Sequence, residues 1–421
     1  MQRRDAAKTT LSLVSLGCAK NAVDLQVMTG NLIKDKNFVL SKDPDRADVV
    51  IVNTCAFIAS ARAEAEREIR RALALKASGN FGKVIVAGCY PKRFPNAIGR
   101  FPGVDVWQGV PEEWIEPKMP GLRFTGKAFA YLKIAEGCAH KCAYCAIPSI
   151  RGKYRSRPLK SILSEAKALL DTGCRELNIV AQDPMLYGVD LKRTMGDKAP
   201  DLMTLLWALD KLPGKFWVRV LYSYPSEISA DFADWLNFSQ KGVKYVDVPL
   251  QHTVPEILAK MNRRGAIAAS LDAADVLREA VDGIVLRTTV MTGFPGETEA
   301  RFERMRADLK RMQFDHLGAF AYSPEKGTKG ARMSGRPSRK IAEEREKIIM
   351  ADAAELWNIR SRAMLGSVYE ALVVAPGVAR MASQAPDVDG VVYFDGEADV
   401  GSFVKVRLDS AEDFDFGGSL V

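Results

Sequence analysis

From residue 129 to residue 328, apolar runs of strand length alternate with amphipathic helical patterns, and this alternation most constrains the fold. The strand candidates are 131–135, 176–181, 217–222, 244–248, 284–291 and 317–322. Helical patterns lie between them, for instance at 161–170, 202–212, 271–280 and 299–312. Six strand–helix units in a row predict a partial parallel barrel, a (β/α)6 core. The first run leads straight into Cys138-Ala-His-Lys-Cys142-Ala-Tyr-Cys145, which places three thiols at the carboxyl-terminal mouth, where barrel sites form.

Soft thiolates select iron–sulfur clusters, zinc or copper(I) over hard cations. A four-iron cluster normally takes four cysteines, so a set of three leaves one iron with an open position. The alternative is a structural zinc site that adds His140 to the three thiols, since Cys3His is a common zinc set. Only one residue separates His140 from Cys138, which makes tetrahedral closure awkward.

The amino-terminal third repeats the strand-then-helix pattern. Apolar runs at 11–16, 49–52 and 84–87 read as buried parallel strands, with 104–110 as a fourth candidate. Helical patterns follow the runs, the clearest at 60–75. Each of the three runs ends in a cysteine: Leu-Gly-Cys18, Asn-Thr-Cys55 and Ala-Gly-Cys89. Ligands of open α/β sheets bind beyond the carboxyl ends of the strands, so three thiols far apart in sequence are expected to converge. A lone cysteine at a strand end is ordinarily a small buried apolar residue; three in register predict a second three-thiol cluster.

Cys-x3-Cys-x2-Cys with an aromatic residue before the last cysteine resembles the signature of the radical S-adenosylmethionine (SAM) enzymes. Ser-Leu-Gly-Cys18-Ala-Lys-Asn, Asn-Thr-Cys55-Ala-Phe-Ile and Gly-Cys89-Tyr-Pro-Lys-Arg resemble the amino-terminal domain of one of its families, the methylthiotransferases. One departure is Gln26, where the family usually carries Glu. The resemblance implies that Cys138, Cys142 and Cys145 hold a [4Fe-4S] cluster whose fourth iron is chelated by SAM. Electron transfer to the sulfonium would then release a 5′-deoxyadenosyl radical. It also implies a second [4Fe-4S] cluster on Cys18, Cys55 and Cys89 that carries sulfur, with SAM contacts from Tyr144, Gln182, Gly293, Pro295 and Gly296.

Other strand ends are expected at the same mouth: Gln182-Asp183, Tyr222 to Pro225, Gln251-His252 and Thr292-Gly-Phe-Pro-Gly-Glu297. Each is otherwise an ordinary turn. Four basic residues follow the thiol loop, Arg151, Lys153, Arg155 and Arg157. They are suited to favour reduction of an anionic cluster or to steer a carboxylate; the plainer alternative is a solvated loop. Cys174 and His316 read as structural.

Residues 327–340 read as a loop and 341–364 as a long charged helix. Short alternating runs at 369–374, 391–394 and 403–408 then predict a small β-barrel. By position and pattern it resembles a TRAM domain, which in many relatives binds RNA. Residues 366–421 hold three basic and ten acidic residues, a net of −7, whereas the whole chain carries +8. Phosphate contacts dominate nucleic-acid affinity, so an acidic module suits a basic protein better. Motifs along the chain, among them Val-Pro-Leu-Gln-His252 and Ala-Pro-Asp-Val-Asp-Gly390, resemble the branch of the family that modifies a ribosomal protein. That resemblance implies methylthiolation at the β-carbon of an aspartate on protein twelve of the small subunit. The alternatives are methylthiolation of a tRNA adenosine, or a non-enzymatic Fe–S or zinc RNA-binding scaffold. The electron donor and sulfur donor are not encoded in any motif.

The expected organisation is therefore α/β multidomain: a parallel-sheet domain over 9–124, a radical SAM barrel over 125–357 and a TRAM-like β-barrel over 358–421. Seven cysteines without a secretory leader argue for a reducing, cytoplasmic setting. No run of about 18 apolar residues is present, so no membrane span is expected.

Overall fold

A computed structural model of the chain describes residues 8–33, 37–110, 123, 125–263, 265 and 267–421. The end expected for the first domain, 124, lies outside the described residues. The chain forms two compact units. The first takes the described residues up to 123 together with 135–139 and 146–165; the second takes the remainder.

The first unit is built on a five-stranded parallel sheet in the order β2-β1-β3-β4-β5. Its strands are β1 (Thr9–Ser15), β2 (Phe38–Leu40), β3 (Ala47–Thr54), β4 (Phe81–Gly88) and β5 (Val106–Trp107). Val50, Val52, Val84 and Val86 are buried to the last atom, as near-continuous apolar strands covered on both faces should be. The helix Ala59–Ala77 contributes Ala65, Ile69 and Ala72 to the same core. Strand β2, only three residues long, was not evident from the sequence.

Strand β6 (Phe129–Lys133) opens the parallel sheet of the second unit. The chain then visits the first unit, where β7 (Ala135–Glu136) pairs antiparallel with β8 (Arg155–Ser156). It returns with β9 (Glu176–Val180), β10 (Trp217–Val220), β11 (Gly242–Asp247), β12 (Val285–Thr292) and β13 (His316–Ala321). These lie in sequential order, β13-β12-β11-β10-β9-β6, all parallel. This is the expected six-stranded partial barrel.

A 26-residue helix, Arg339–Met364, leads from this sheet to a closed five-stranded barrel. Its strands are β14 (Val368–Ala375), β15 (Val378–Met381), β16 (Val392–Asp395), β17 (Phe403–Glu412) and β18 (Asp415–Leu420). Within the second unit, the segment after β15 packs against inward-facing residues of the large sheet. Asp389 accepts from Arg287 at 2.6 Å and from the Tyr245 hydroxyl at 2.7 Å, and Asp387 accepts from Tyr131 at 2.6 Å. Buried Glu176 takes Arg219 at 2.9 Å and also Arg380 of β15. His316 Nε2 donates to the Ser383 carbonyl at 2.8 Å, the structural role expected of it. The acidity of the C-terminal module is thus partly spent inside the molecule. Asp389 has a side chain 1% exposed, whereas Asp395, Glu397 and Asp399 face solvent.

Candidate functional site

Three neighbouring parallel strands end level with one another. Ser15 of β1 lies beside Asn53 of β3, and Thr54 lies beside Gly88 of β4. The residues just beyond these ends are Cys18, Cys55 and Cys89, so register alone brings the three thiols to one edge of the sheet, as the sequence predicts. Cys18 sits at the exposed rim, Cys55 is half-buried and Cys89 is buried. Gly17 runs at φ +94°, and a Cβ there would lie 2.8 Å from Cys55 Cβ, so only glycine lets the two strands' ends meet this closely.

Asn21 pins the edge. Its Nδ2 donates to the carbonyls of Leu16 at 2.6 Å and Thr54 at 3.3 Å. A buried guanidinium closes it: Arg151 Nη2 donates to Cys89 Sγ at 3.0 Å and to Asn21 Oδ1 at 3.1 Å. The other arm of Arg151 donates to Asp24 at 2.5 Å and Glu136 at 3.1 Å, both carboxylates being buried. Protein atoms packed around Cys18 would raise its thiol pKa, but Lys20, Arg151 and the backbone N–H groups of Asn21 and Lys20 outweigh them and hold it below the ordinary value. Burial pushes Cys55 up, and pushes Cys89 up to about 12 against the pull of Arg151. Metal binding must therefore displace the protons that burial holds on Cys55 and Cys89.

The basic stretch after the thiol loop does not act as one group. Arg151 belongs to the Cys18/Cys55/Cys89 edge, and buried Arg157 is held by Glu165 at 2.6 Å and Ser161 at 3.0 Å. Lys153 and Arg155 are the exposed members. Before the loop, Gly137 runs at φ +79° with the Lys153 carbonyl 2.2 Å from where a Cβ would stand.

In the second unit, Cys142 and Cys145 lie on a turn closed by Cys145 N–H to the Cys142 carbonyl at 3.1 Å. The turn is tied down from two sides. Ala143 N–H donates to the Met261 carbonyl at 2.8 Å, and Gly330 N–H donates to the Ala143 carbonyl at 2.7 Å. His140 hydrogen-bonds Asp183 at 2.6 Å and stacks on Tyr224 with ring centroids 3.8 Å apart. Arg263 covers the other side of Tyr224 at 4.1 Å, reaches the Tyr144 hydroxyl at 3.4 Å and lies against the Cys142 thiol. Burial raises the Tyr144 phenol well above its ordinary value, against the pull of Arg263. His140 is thus committed to Asp183 and Tyr224. Among the described residues, no three His, Cys, Asp or Glu side chains come together tightly enough for a single metal ion.

Gln182 follows β9, half-buried. Gly293 and Pro295 are buried in the turn after β12. Gly293 N–H donates to Glu297 at 2.8 Å, and a Cβ on Gly293 would lie 2.3 Å from Ala342 Cβ. At Gly296 it would meet Lys260 Nζ at 2.4 Å. Gly293 is therefore already required by packing within the protein, and Gly296 by its backbone at φ +94°. His252, expected at the mouth, is wholly buried instead. It accepts from Val254 N–H at 3.0 Å through Nδ1, which leaves its proton on Nε2, 3.3 Å from Glu297. Glu297 Oε1, which takes the Gly293 N–H, also accepts from Arg345 at 2.7 Å, so the Glu297–Arg345 pair holds the Gly293 turn. Cys174 is buried and donates to the Glu176 carbonyl at 3.2 Å, the packing role expected of it.

Comparisons with known proteins agree along the chain. Residues 10–109 match the uncharacterized protein family UPF0004, 132–309 the Radical SAM superfamily and 366–421 the TRAM domain. A ribosomal protein uS12 methylthiotransferase RimO from Geobacter sulfurreducens is 38% identical, covering 99% of both chains. The protein of that name from Moorella thermoacetica is 39% identical over 97% of this chain and 99% of its own. The chain belongs to the RimO family of radical SAM methylthiotransferases. It shares its fold with the radical SAM methyltransferase TsrM from Kitasatospora setae, at TM-score 0.52 and 16% identity over 75% of this chain and 77% of that one.

Arg151, Asn21, Asp183, Tyr224 and Arg263 were not assigned these contacts from the sequence. No spacing rule links them to a cysteine; Asn21, Asp183 and Tyr224 lie just beyond strand ends and Arg151 follows the thiol loop, whereas Arg263, beyond the helix Pro255–Lys260, carried no positional signal.

Proposed function

We propose that this chain replaces a hydrogen on the β-carbon of an aspartate of ribosomal protein uS12 with a methylthio group. The observation that carries this reading is near-full-length likeness to proteins named for uS12, at 38% identity over 99% of the chain. In this reading Cys138, Cys142 and Cys145 hold the SAM-cleaving [4Fe-4S] cluster, and Cys18, Cys55 and Cys89 hold a second one. Tyr144, Gln182, Gly293, Pro295 and Gly296 contact SAM, and 9–124, 125–357 and 358–421 are the working domains. The donor sets suit such groups: three soft thiols each, level strand ends in one set and a clamped turn in the other. When bound, the first cluster supplies the electron that cleaves SAM and the second carries the sulfur.

The protein's own residues do the rest. Arg263 and Asp183 fix the loop around Cys142, while Asn21 and Arg151 fix the edge around Cys89. Exposed Asp395, Glu397 and Asp399 offer a basic partner complementary charge, which favours a ribosomal protein over tRNA. A cytoplasmic location belongs to the same reading. No helix among the described residues is long and apolar enough to cross a membrane.

The test incubates reconstituted enzyme, SAM and a reductant with uS12 and tRNA together. Mass spectrometry should find the methylthio group on an aspartyl peptide of uS12 and none on tRNA adenosine. The reverse distribution sinks the proposal, and absence of 5′-deoxyadenosine would leave a non-enzymatic scaffold.

A further inference from the structure

We propose that Arg151 is a positioning residue that sets the reduction potential of the cluster on Cys18, Cys55 and Cys89 through an N–H···S bond to Cys89. The inference rests on the two-cluster reading above. Hydrogen bonds to sulfur and burial are the protein's main levers on iron–sulfur potentials. Arg151 applies both, since its side chain is 2% exposed and Nη2 stands 3.0 Å from Sγ.

The guanidinium is aimed by its other partners. Asp24 and Glu136 take Nη1 and Asn21 takes Nη2, so the fork has one orientation. The two buried carboxylates also outweigh its single positive charge. What reaches the sulfur is therefore a directed donor rather than an excess of positive charge. Lysine keeps the charge but cannot reproduce the planar fork.

The same guanidinium reaches the segment that enters the second set of thiols. Glu136, held through Oε2, accepts from Gly137 N–H at 3.2 Å through Oε1, and Cys138 is the next residue. Arg151 thus fastens a ligand of one set to the backbone just ahead of the other.

The experiment uses the full chain carrying Cys138, Cys142 and Cys145→Ala, so that a single cluster remains. Iron is counted, and the cluster is titrated with dithionite under EPR; one electron enters, no bond forms or breaks, and Arg151 keeps its proton. With Arg151 intact, about four irons per chain are expected; none would overturn the two-cluster reading itself. Arg151→Lys should keep its iron yet lower the reduced-to-oxidised ratio at fixed potential about tenfold, which is about 59 mV for one electron. Unchanged potential with intact iron overturns the role of Arg151. Should Arg151→Lys lose its iron, the Arg151-intact chain labelled with guanidino-15N arginine decides. Pulsed EPR of the reduced cluster should show coupling to guanidinium nitrogen, and its absence overturns the proposal.

Discussion

The two sets of cysteines are built by opposite means. Cys138, Cys142 and Cys145 fall within eight residues of one loop, whose order comes from clamps at Met261, Gly330 and Asp183. Cys18, Cys55 and Cys89 are spread over three strands and meet only because β1, β3 and β4 end in register. A local set survives small shifts in the surrounding sheet, because its spacing is covalent. A convergent set inherits every error in strand register, and its glycines and its arginine are the parts that hold register at the edge.

The largest expected effect separates the sets outright. Cys18/Cys55/Cys89→Ala should reduce iron from about eight to about four per chain and abolish the methylthio product while 5′-deoxyadenosine still forms. Cys138/Cys142/Cys145→Ala should abolish both products. Iron and product analysis on the two variants checks this, and equal losses in both would mean the sets are not independent.

Strain sharpens the contrast. Gly17→Ala puts a side chain into a backbone conformation that costs roughly 1–3 kcal/mol, with its Cβ against Cys55. It should deplete the convergent set of iron and spare SAM cleavage. In the loop, Asp183→Asn weakens the hold on His140 by removing a hydrogen bond to a charged group, roughly 1.5–3 kcal/mol. Here 5′-deoxyadenosine formation should fall while the iron held by Cys18, Cys55 and Cys89, counted in the chain carrying Cys138/Cys142/Cys145→Ala, stays near its starting value, as iron counts and product rates would report.

Smaller effects concern the C-terminal module. Burial would raise the Glu176 carboxyl, but Arg380 and Arg219 hold it below its ordinary 4.5. Its folded pKa is therefore depressed. The stability it contributes is full above the unfolded value and is lost as pH falls through the folded one. Thermal unfolding followed from pH 6 to pH 3 should show this loss, and Glu176→Gln should flatten that part of the profile. Smallest is Asp395/Glu397/Asp399→Lys, which should weaken binding to a basic uS12 peptide at low salt by up to about 1 kcal/mol per exposed charge. Folding should be unaffected, and calorimetry at two salt concentrations measures it.

Much of the fold was legible because periodicity reports burial directly. The helix at 299–312 matches Glu299–Met312 to the residue, and all six barrel strands were found. Strands β15 and β18 were not: Val-Ala-Arg-Met carries a charge committed to Glu176, and Asp-Phe-Gly-Gly-Ser-Leu is broken by two glycines. The thiol sets were visible because cysteine in register is a rare pattern. Their surroundings were not, since the partner of Arg151 is fixed by tertiary placement. The same limit misled the reading of charge. Asp387 and Asp389 count toward the net −7 of residues 366–421, yet they accept from Tyr131, Tyr245 and Arg287.

Those two aspartates bear on modularity. A closed barrel that follows a 26-residue helix at the end of the chain invites exchange as an interchangeable module. In this chain the barrel is also a stopper: Arg380 pairs with Glu176, Asp389 takes Arg287 and Tyr245, and Asp387 accepts from Tyr131. A graft that omits them would leave Glu176 to Arg219 alone and take from Arg287 its partner at 2.6 Å. Change in the barrel must therefore fall on its exposed face while its inner loop stays fixed.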